Sequence, residues 1–463
     1  MKKIAFFLFI FSFTIIEAYC QQVVTISGKV KMKPGSTLRF TKYRDYISLD
    51  KERLATVKTG NDSCFSVNFS LKSPEIITIS VNELALEGLF YPTLNYSLEL
   101  TSTGNDYRGT LIVSASNQPI NPQIILKNAY NEFSDSTLSI LFNQNNQRPS
   151  KKSVDLFNSV INAALLHTND SFCKQLIQSL RVEYLTMSRA VSFSSAFERY
   201  FDCANLPVSN PAFQSLISSR FRLYFISGPH SITRQNIFQK TTDSLHFSNI
   251  IRYMSVDSAL KCIPIRETVL LENLFAMIKG GEINPDIGIN ILKEASVSAT
   301  HPFNRQVATN LMNSIARQES GTTIPDFPLI FPDKSIHTLS SLTGKPLHFT
   351  FFNLKGIADQ TLLNQLSDVE HFADSLGIAH IICITTDINQ EAVKKYWQDK
   401  KLLMQLCFAL DDYELIDYFN AYTTPCFVLL DSKGKINTLA PNFPGEQLLK
   451  QLKSLFQADN AKP

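Results

Sequence analysis

Thiol chemistry is the first chemistry that the sequence raises, because the chain contains eight cysteines. None lies in a Cys-x-x-Cys pair or in a spacing typical of metal ligands. Most have apolar neighbours, which favours buried and unreactive thiols. Cys173 and Cys203 are a candidate disulfide. The eight positions are Cys20, Cys64, Cys173, Cys203, Cys262, Cys383, Cys407 and Cys426.

Other site chemistries find little support in the sequence. The histidines are scattered and show no His-x-x-x-His pairing, so we predict no metal site and no cofactor. A formal net charge of +3 over 463 residues, without a basic stripe, excludes a nucleic-acid-binding surface. The scarcity of glycine (16 residues) argues against a glycine-rich phosphate-binding enzyme.

The N-terminus has the features of an export signal. Two lysines precede an apolar run over residues 5–16 that is too short for a comfortable membrane span, and Ala18 and Cys20 fit the small positions before a cleavage site. We therefore predict a signal peptide over residues 1–20 and a mature chain in the periplasm or cell envelope. The alternative is lipidation of Cys20, which the three preceding residues fit poorly. No later stretch is long and apolar enough to span a membrane.

Periodicity divides the mature chain into three regions. Residues 21–122 alternate apolar and polar side chains between turn signals, which predicts a β-rich, sandwich-like domain. Residues 123–320 carry apolar residues at helical spacing, with Ser150 as a candidate N-cap, which predicts an all-α region. Residues 322–463 alternate strand and helix, which predicts an α/β layer fold with partly parallel strands. The predicted fold class is therefore multidomain α+β.

The third region resembles the thioredoxin-fold TlpA/ResA-like (redoxin) family of exported proteins. Residues 339–345 are similar to its "L-S-x-L-x-G-K" segment, and residues 427–436 are similar to its "F-x-L-x-D-x-x-G-x-I" segment. Thr424 and Pro425 lie where the family has its cis-proline. The resemblance implies a thioredoxin-like domain, a cis Thr424–Pro425 bond and binding of an extended chain at these two residues.

The family's redox motif is missing from this chain. The family places Trp-Cys-x-x-Cys after the first core strand, where this sequence has residues 355–359. Gly356 stands in place of the nucleophilic cysteine and Asp359 in place of the resolving cysteine. Exchange needs a thiolate to attack and a second thiol to release the mixed disulfide. These vestigial positions therefore predict no exchange, and Asp359 is interpreted as an acid favoured by the helix dipole.

One thiol remains near the vestigial positions, because Cys426 directly follows Pro425. In the thioredoxin fold, the cis-proline loop lies against the Cys-x-x-Cys turn, so Cys426 is a candidate lone thiol. Alternation along the strand would instead point its side chain into the sheet. A buried structural cysteine and a reactive single thiol both stay open.

The β region has a resemblance of its own. Residues 26–30, residues 61–67 and the strand that follows residues 89–92 are similar to a domain of unknown function often found ahead of TlpA-like domains in envelope proteins. The order of signal, β module, helical spacer and thioredoxin-like end strengthens this resemblance.

Three functions fit these observations. The sequence favours an exported bacterial envelope protein with a redox-inactive thioredoxin-like domain, which binds an exported protein or peptide or has an accessory role. The first alternative is a thiol-disulfide oxidoreductase of the TlpA-like family that uses Cys426. The second is a structural envelope protein whose β and helical parts do the work.

The export signal leads to a prediction about the mature chain. Cleavage after Cys20 should leave a protein that begins at Gln21, and the intact mass of the exported protein measures this. A mass increase equal to a diacylglycerol group on Cys20 would instead establish the lipoprotein alternative.

Overall fold

The architecture is seen in a computed structural model, which describes most of the chain after residue 21. The predicted signal peptide and Cys20 lie outside the described residues. The described ranges are 22–31, 35–81, 84–92, 94–103, 110–114, 136–141, 148–168, 170–225, 246–280, 282–354, 357–385, 390–408, 414–419, 421, 424–439 and 441–460.

The first part of the chain forms two four-stranded sheets, with strand orders β4-β1-β7-β8 and β3-β2-β5-β6. Neighbouring strands are antiparallel except for β1 and β7, which are parallel. Strands β1 to β8 are Gln22–Lys31, Thr37–Tyr43, Lys51–Lys58, Cys64–Leu71, Glu75–Val81, Leu84–Phe90, Tyr96–Thr103 and Thr110–Ser114.

The two sheets enclose one apolar core. Strand β4 alternates exposed and buried residues along its whole length, as its sequence pattern predicts. Its Phe69 meets Phe40 of the other sheet, with ring centroids 5.8 Å apart. Gly28 allows β1 and β7 to approach closely, because a Cβ atom there would lie 1.9 Å from the carbonyl oxygen of Leu98.

Helices form the middle of the chain. Ser150 accepts a hydrogen bond from the backbone of Ser153 and caps the first helix, as predicted. Prolines occupy the first or second position of α6, α7 and α8, where a missing N–H costs little. Helices α1 to α8 are Lys151–His167, Ser171–Met187, Phe193–Tyr200, Pro211–Phe221, Phe247–Tyr253, Ile263–Lys279, Pro285–Ser298 and Pro302–Arg317.

A disulfide joins two segments of this helical part. It links Cys203 to Cys262, whose Cα atoms are 5.4 Å apart. The pairing of Cys173 with Cys203 considered from the sequence is therefore wrong. Cys173 is a buried free thiol of α2, and its Sγ lies 3.4 Å from the hydroxyl oxygen of Tyr91 at the end of β6.

Asp45, in the loop between β2 and β3, connects the sheets to the helices. One carboxylate oxygen accepts hydrogen bonds from the backbone N–H groups of Ile47 (2.9 Å) and Ser48 (2.6 Å). The other accepts from the Ser48 hydroxyl and from the side-chain amide of Asn310 in α8, both at 2.7 Å. Because Asp45 is buried, these partners replace the water that its charge loses.

Two further contacts hold the same loop against the helices. Arg317 at the end of α8 pairs with Asp50 at 2.7 Å. The backbone N–H of Tyr46 donates to the side chain of Gln214 in α4 at 3.0 Å. The loop is therefore the place where the strands and helices are joined by charge and hydrogen bonds.

The last part of the chain is built on one seven-stranded sheet, with strand order β10-β9-β13-β12-β11-β14-β15. Strands β11, β12 and β13 are parallel, while β14 and β15 continue the sheet in antiparallel pairs. Strands β9 to β15 are Pro328–Ile330, Ile336–Thr338, Leu347–Phe352, His380–Thr385, Gln405–Phe408, Cys426–Leu430 and Ile436–Thr438. Helices α9 to α12 are Ile357–Ser375, Gln390–Asp399, Glu414–Phe419 and Glu446–Asn460.

Strand β11 lies in the interior of this sheet, between β12 and β14, and is buried along its whole length. Phe352 packs on one side, in a cluster with Leu363 of α9 and Leu448 of α12, which we call the α9 face. Phe349 and Phe351 pack on the opposite face. The unit β11-α9-β12 followed by the hairpin β14-β15 and α12 has the arrangement expected of a thioredoxin-like domain.

The mixed α and β content with several sheets agrees with the predicted fold class. The domain boundaries stay predictions, and the first of them, at residue 122, lies outside the described residues. Within the described ranges, no helix is both long and apolar enough to cross a membrane.

The contacts of Asp45 lead to a stability prediction. Asp45→Ala leaves Asn310 and two backbone N–H groups without their acceptor, so the free energy of unfolding should fall by about 2–4 kcal/mol. Urea denaturation followed by circular dichroism measures it. The matched control is Glu391→Ala, whose side chain is 83% exposed and whose loss should change the stability by less than about 0.5 kcal/mol. Equal effects of the two changes would contradict the role of Asp45.

Candidate functional site

Asp359 lies in the first turn of α9 and organises the turn that follows β11. The residue is 2% exposed, and its carboxylate accepts a hydrogen bond from the backbone N–H of Asn353 at 2.8 Å. The side chain of Gln360 donates to the carbonyl oxygen of Leu354 at 2.7 Å across the same turn. Asp359 is thus more than an acid favoured by the helix dipole, because it also ties the helix start to the strand end.

Two of the other predicted site residues, Thr424 and Pro425, lie beside this turn. Gly356 lies outside the described residues. Strand β14 pairs with β11 so that Cys426 is opposite Phe351, which places Thr424 and Pro425 beside the end of β11. The Thr424–Pro425 peptide bond is cis. The structure therefore brings Asp359, Thr424 and Pro425 to one edge of the sheet.

Cys426 does not lie on the α9 face. Its side chain packs on the opposite face of the sheet, against the cluster that contains Phe351. Burial raises the pKa of the Cys426 thiol above its usual value. A raised pKa reduces the fraction of thiolate, which is the reactive form. Both the orientation and the pKa therefore disfavour Cys426 as a nucleophile.

One residue of the site that was not predicted from the sequence is an exposed aromatic side chain, which packs against Phe427 two residues after the cis-proline. Phe443, in the loop between β15 and α12, is 75% exposed. Its ring meets that of Phe427 at a centroid distance of 6.0 Å, and Phe427 belongs to the α9 face. The backbone N–H of the preceding residue, Asn442, donates to Gln451 at 2.9 Å and so holds the loop to α12. An aromatic residue beside a proline in a turn was the signal available in the sequence.

Two titratable side chains are buried in the same part of the chain. Burial lowers the pKa of His348 in β11 to about 4. Burial and the nearby Asp374 raise the pKa of Glu370 in α9 to about 7. Neither His348 Nε2 nor Glu370 Oε2 has a hydrogen-bond partner among the described residues. Both side chains are therefore in their neutral forms at mildly acidic pH.

The site offers backbone groups, an apolar surface and the hydrogen-bonded carboxylate of Asp359. Within the described ranges, it places no thiol on the α9 face beside the cis-proline. The remaining free thiols of this sheet, Cys383 and Cys407, are fully buried, and burial raises the pKa of both. No group of three or more His, Cys, Asp or Glu side chains in the described ranges could hold a metal ion.

Comparisons with known proteins find likeness for part of the chain. No protein family model matches, and no curated protein matches. A thiol:disulfide interchange protein from a Bacteroides species has a solved structure with 16% identity and a TM-score of 0.28, and the match covers 30% of this chain and 92% of that one. The thioredoxin domain of a thiol-disulfide oxidoreductase from Bacteroides vulgatus has 19% identity and a TM-score of 0.27, with coverage of 29% and 96%.

A third solved structure is a thiol:disulfide interchange protein of the thioredoxin family from Chlorobium tepidum. It has 20% identity and a TM-score of 0.26, and the match covers 30% of this chain and 98% of that one. These structural neighbours are thioredoxin-fold thiol-disulfide oxidoreductases, and each covers less than a third of this chain.

The buried carboxyl of Glu370 predicts a specific pH dependence. Because its pKa is raised in the folded protein, the stability it contributes is fully present below about pH 4.5 and is lost as the pH rises through about 7. Glu370→Gln, which mimics the neutral form, should therefore stabilise the protein at pH 8 by on the order of 2–3 kcal/mol. The gain should shrink toward pH 5, and thermal unfolding at both pH values measures it.

The matched control for this prediction is Glu391→Gln, because the side chain of Glu391 is 83% exposed. It should leave the stability unchanged at both pH values. A gain for Glu370→Gln that is equal at pH 5 and pH 8 would contradict the assignment of the titration to Glu370.

The vestigial positions allow a test of their alignment. Residue 359 lies in the first turn of α9 and residue 356 is three positions earlier in the sequence, so cysteines at the two positions are expected to fall within the roughly 4.4–6.8 Å Cα separation that a disulfide needs. Gly356→Cys with Asp359→Cys should form a reducible disulfide after mild oxidation, and mass spectrometry of proteolytic fragments detects it. Asp359→Cys alone is the control. Two separate free thiols in a folded double variant would mean that the alignment is wrong.

Proposed function

We propose that the chain is an exported envelope protein whose thioredoxin-like part binds an extended segment of a protein or peptide without thiol–disulfide exchange. The observation that carries this proposal is the exposed ring of Phe443, which packs against Phe427 on the same side of the sheet as α9. Phe427 follows the cis Thr424–Pro425 bond by two residues. The binding surface is defined by Thr424, Pro425, Phe427 and Phe443.

The end of β11 and the start of α9 support the absence of thiol–disulfide exchange. A thiol–disulfide exchange site needs a sulfur at the helix start, where the dipole favours a thiolate. Here the first turn of α9 contains a buried carboxylate that accepts the Asn353 N–H. Cys426, the thiol nearest in sequence to the cis-proline, packs on the opposite face with a raised pKa.

An exposed aromatic ring, Phe443, and the backbone of Thr424 support the binding of an extended chain. A large aromatic ring exposed to water is costly to leave uncovered and provides much of the energy at interfaces when it is buried. The loop that carries Phe443 is held to α12 through Asn442 and Gln451, so little order has to be gained on binding. An extended chain can place an apolar side chain on Phe443 while its backbone lies along Thr424.

Export is supported by two independent features. The first is the positively charged and then apolar N-terminus, followed by Ala18 and Cys20. The second is the disulfide between Cys203 and Cys262, since disulfides persist mainly in oxidising compartments. Together they favour the periplasm or the cell envelope.

Binding is tested with a fluorescently labelled, unfolded polypeptide that contains no cysteine, titrated with the purified chain and followed by fluorescence anisotropy. Phe443→Ala should weaken binding by about tenfold or more, as expected when a central aromatic contact is lost. The matched control is Phe372→Ala, because Phe372 is also exposed (54%) but lies in α9 away from the cis-proline. Equal affinities of the two variants would contradict the proposed binding surface.

The alternatives predict different outcomes. If the β and helical parts do the work in an envelope scaffold, a chain that ends at residue 321 should retain the partners of the full chain in pull-downs from an envelope extract. If Cys426 is a reactive thiol, Cys426→Ser should abolish capture of a partner through a mixed disulfide. Our proposal predicts that the chain ending at residue 321 loses its partners and that the Cys426→Ser chain keeps them.

A further inference from the structure

The disulfide of the helical part is asymmetric in its accessibility. Cys203 lies in the segment between α3 and α4 and is exposed. Cys262 is 3% exposed and belongs to the apolar core of the helices. A thiolate that attacks a disulfide must reach one sulfur along the S–S axis, so access decides which sulfur is attacked. Cys203 is therefore the solvent-exposed half of the disulfide.

The buried sulfur lies where a departing thiolate is favoured. Cys262 is the N-cap residue of the 17-residue helix α6, and its side chain makes no capping hydrogen bond. The first turn of α6 contains no acidic residue. The N-terminus of a helix stabilises a negative charge on such a sulfur.

A buried cation lies one turn further along the same helix. Arg266 is 9% exposed, and its guanidinium donates to the carbonyl oxygens of Ile251 (2.9 Å) and Lys261 (3.1 Å). The second of these residues directly precedes Cys262. The Nε atom of Arg266 is buried without a hydrogen-bond partner among the described residues. The positive charge of Arg266 is partly offset by the adjacent buried Glu267, so the helix terminus is the group that mainly lowers the cost of a thiolate at Cys262.

We propose that Cys203–Cys262 is an exchangeable disulfide, attacked at Cys203 by a dithiol protein of the same compartment. The incoming thiolate bonds to Cys203 Sγ, the S–S bond breaks, and Cys262 leaves with the electron pair as a thiolate. The second thiol of the partner then attacks the mixed disulfide and releases Cys203. The partner dithiol is oxidised by two electrons and this disulfide is reduced to two thiols. The proposal does not depend on peptide binding near Phe443.

Glutathione is the probe for this inference, because it adds as a mass tag to whichever sulfur it attacks. The protein carries Cys64→Ser, which removes the exposed free thiol. Native protein is incubated with reduced glutathione and quenched with acid, and the adducts are mapped by mass spectrometry. We expect at least ten times more adduct on Cys203 than on Cys262, and nearly equal amounts in denaturant.

Two results would overturn the proposal. Equal adducts on Cys203 and Cys262 in the native protein would show that access does not select the attacked sulfur. Adducts that form no faster than the protein unfolds would make the disulfide a structural cross-link only. The variant Cys262→Ser provides a separate check, because its Cys203 thiol should become a mixed disulfide with oxidised glutathione in the folded protein, whereas the Cys262 thiol of Cys203→Ser should not.

Discussion

The hydrogen bond from the Asn353 N–H to the buried carboxylate of Asp359 joins the end of β11 to the start of α9, and the candidate site depends on it. A carboxylate that is 2% exposed is expensive to bury unless it is hydrogen-bonded. The backbone donor at the end of β11 meets this requirement, and the helix dipole of α9 adds to it. The strand end and the helix start are thus held together by an oxygen acceptor.

The same device recurs where other elements meet. Glu267 of α6 accepts hydrogen bonds from the backbone N–H groups of Thr300 and His301, just before α8 begins. Glu294 of α7 accepts from the backbone N–H of Phe247 at the start of α5. With Asp45, these acids satisfy backbone donors that a helix start or a loop leaves without partners. The contacts of Glu267 and Glu294 join elements that are distant in sequence, as does the contact of Asp45 with Asn310, and they therefore help to orient those elements.

Local patterns made much of the fold predictable. The alternation in β4 and the N-cap at Ser150 depend only on neighbouring residues, and both match the structure. The disulfide partner of Cys203 could not be chosen in this way, because pairing depends on which segments meet in space. Short elements such as β13 and α11 also carry too few residues to show a period.

The candidate site was predictable in position but not in content. The resemblance located Asp359, Thr424 and Pro425 at one edge, and the strand pairing of β11 with β14 brings that edge together. The hydrogen bond of Asp359, the orientation of Cys426 and the exposure of Phe443 follow from tertiary packing. These three features could not be predicted from the sequence pattern alone.

The most direct test of the central claim is the reduction of insulin disulfides by the purified wild-type chain with dithiothreitol as the recycling reductant. We expect the rate of dithiothreitol alone, because no free thiol among the described residues lies on the α9 face beside the cis-proline. A rate comparable to that of an active thioredoxin, lost on Cys426→Ser, would contradict it.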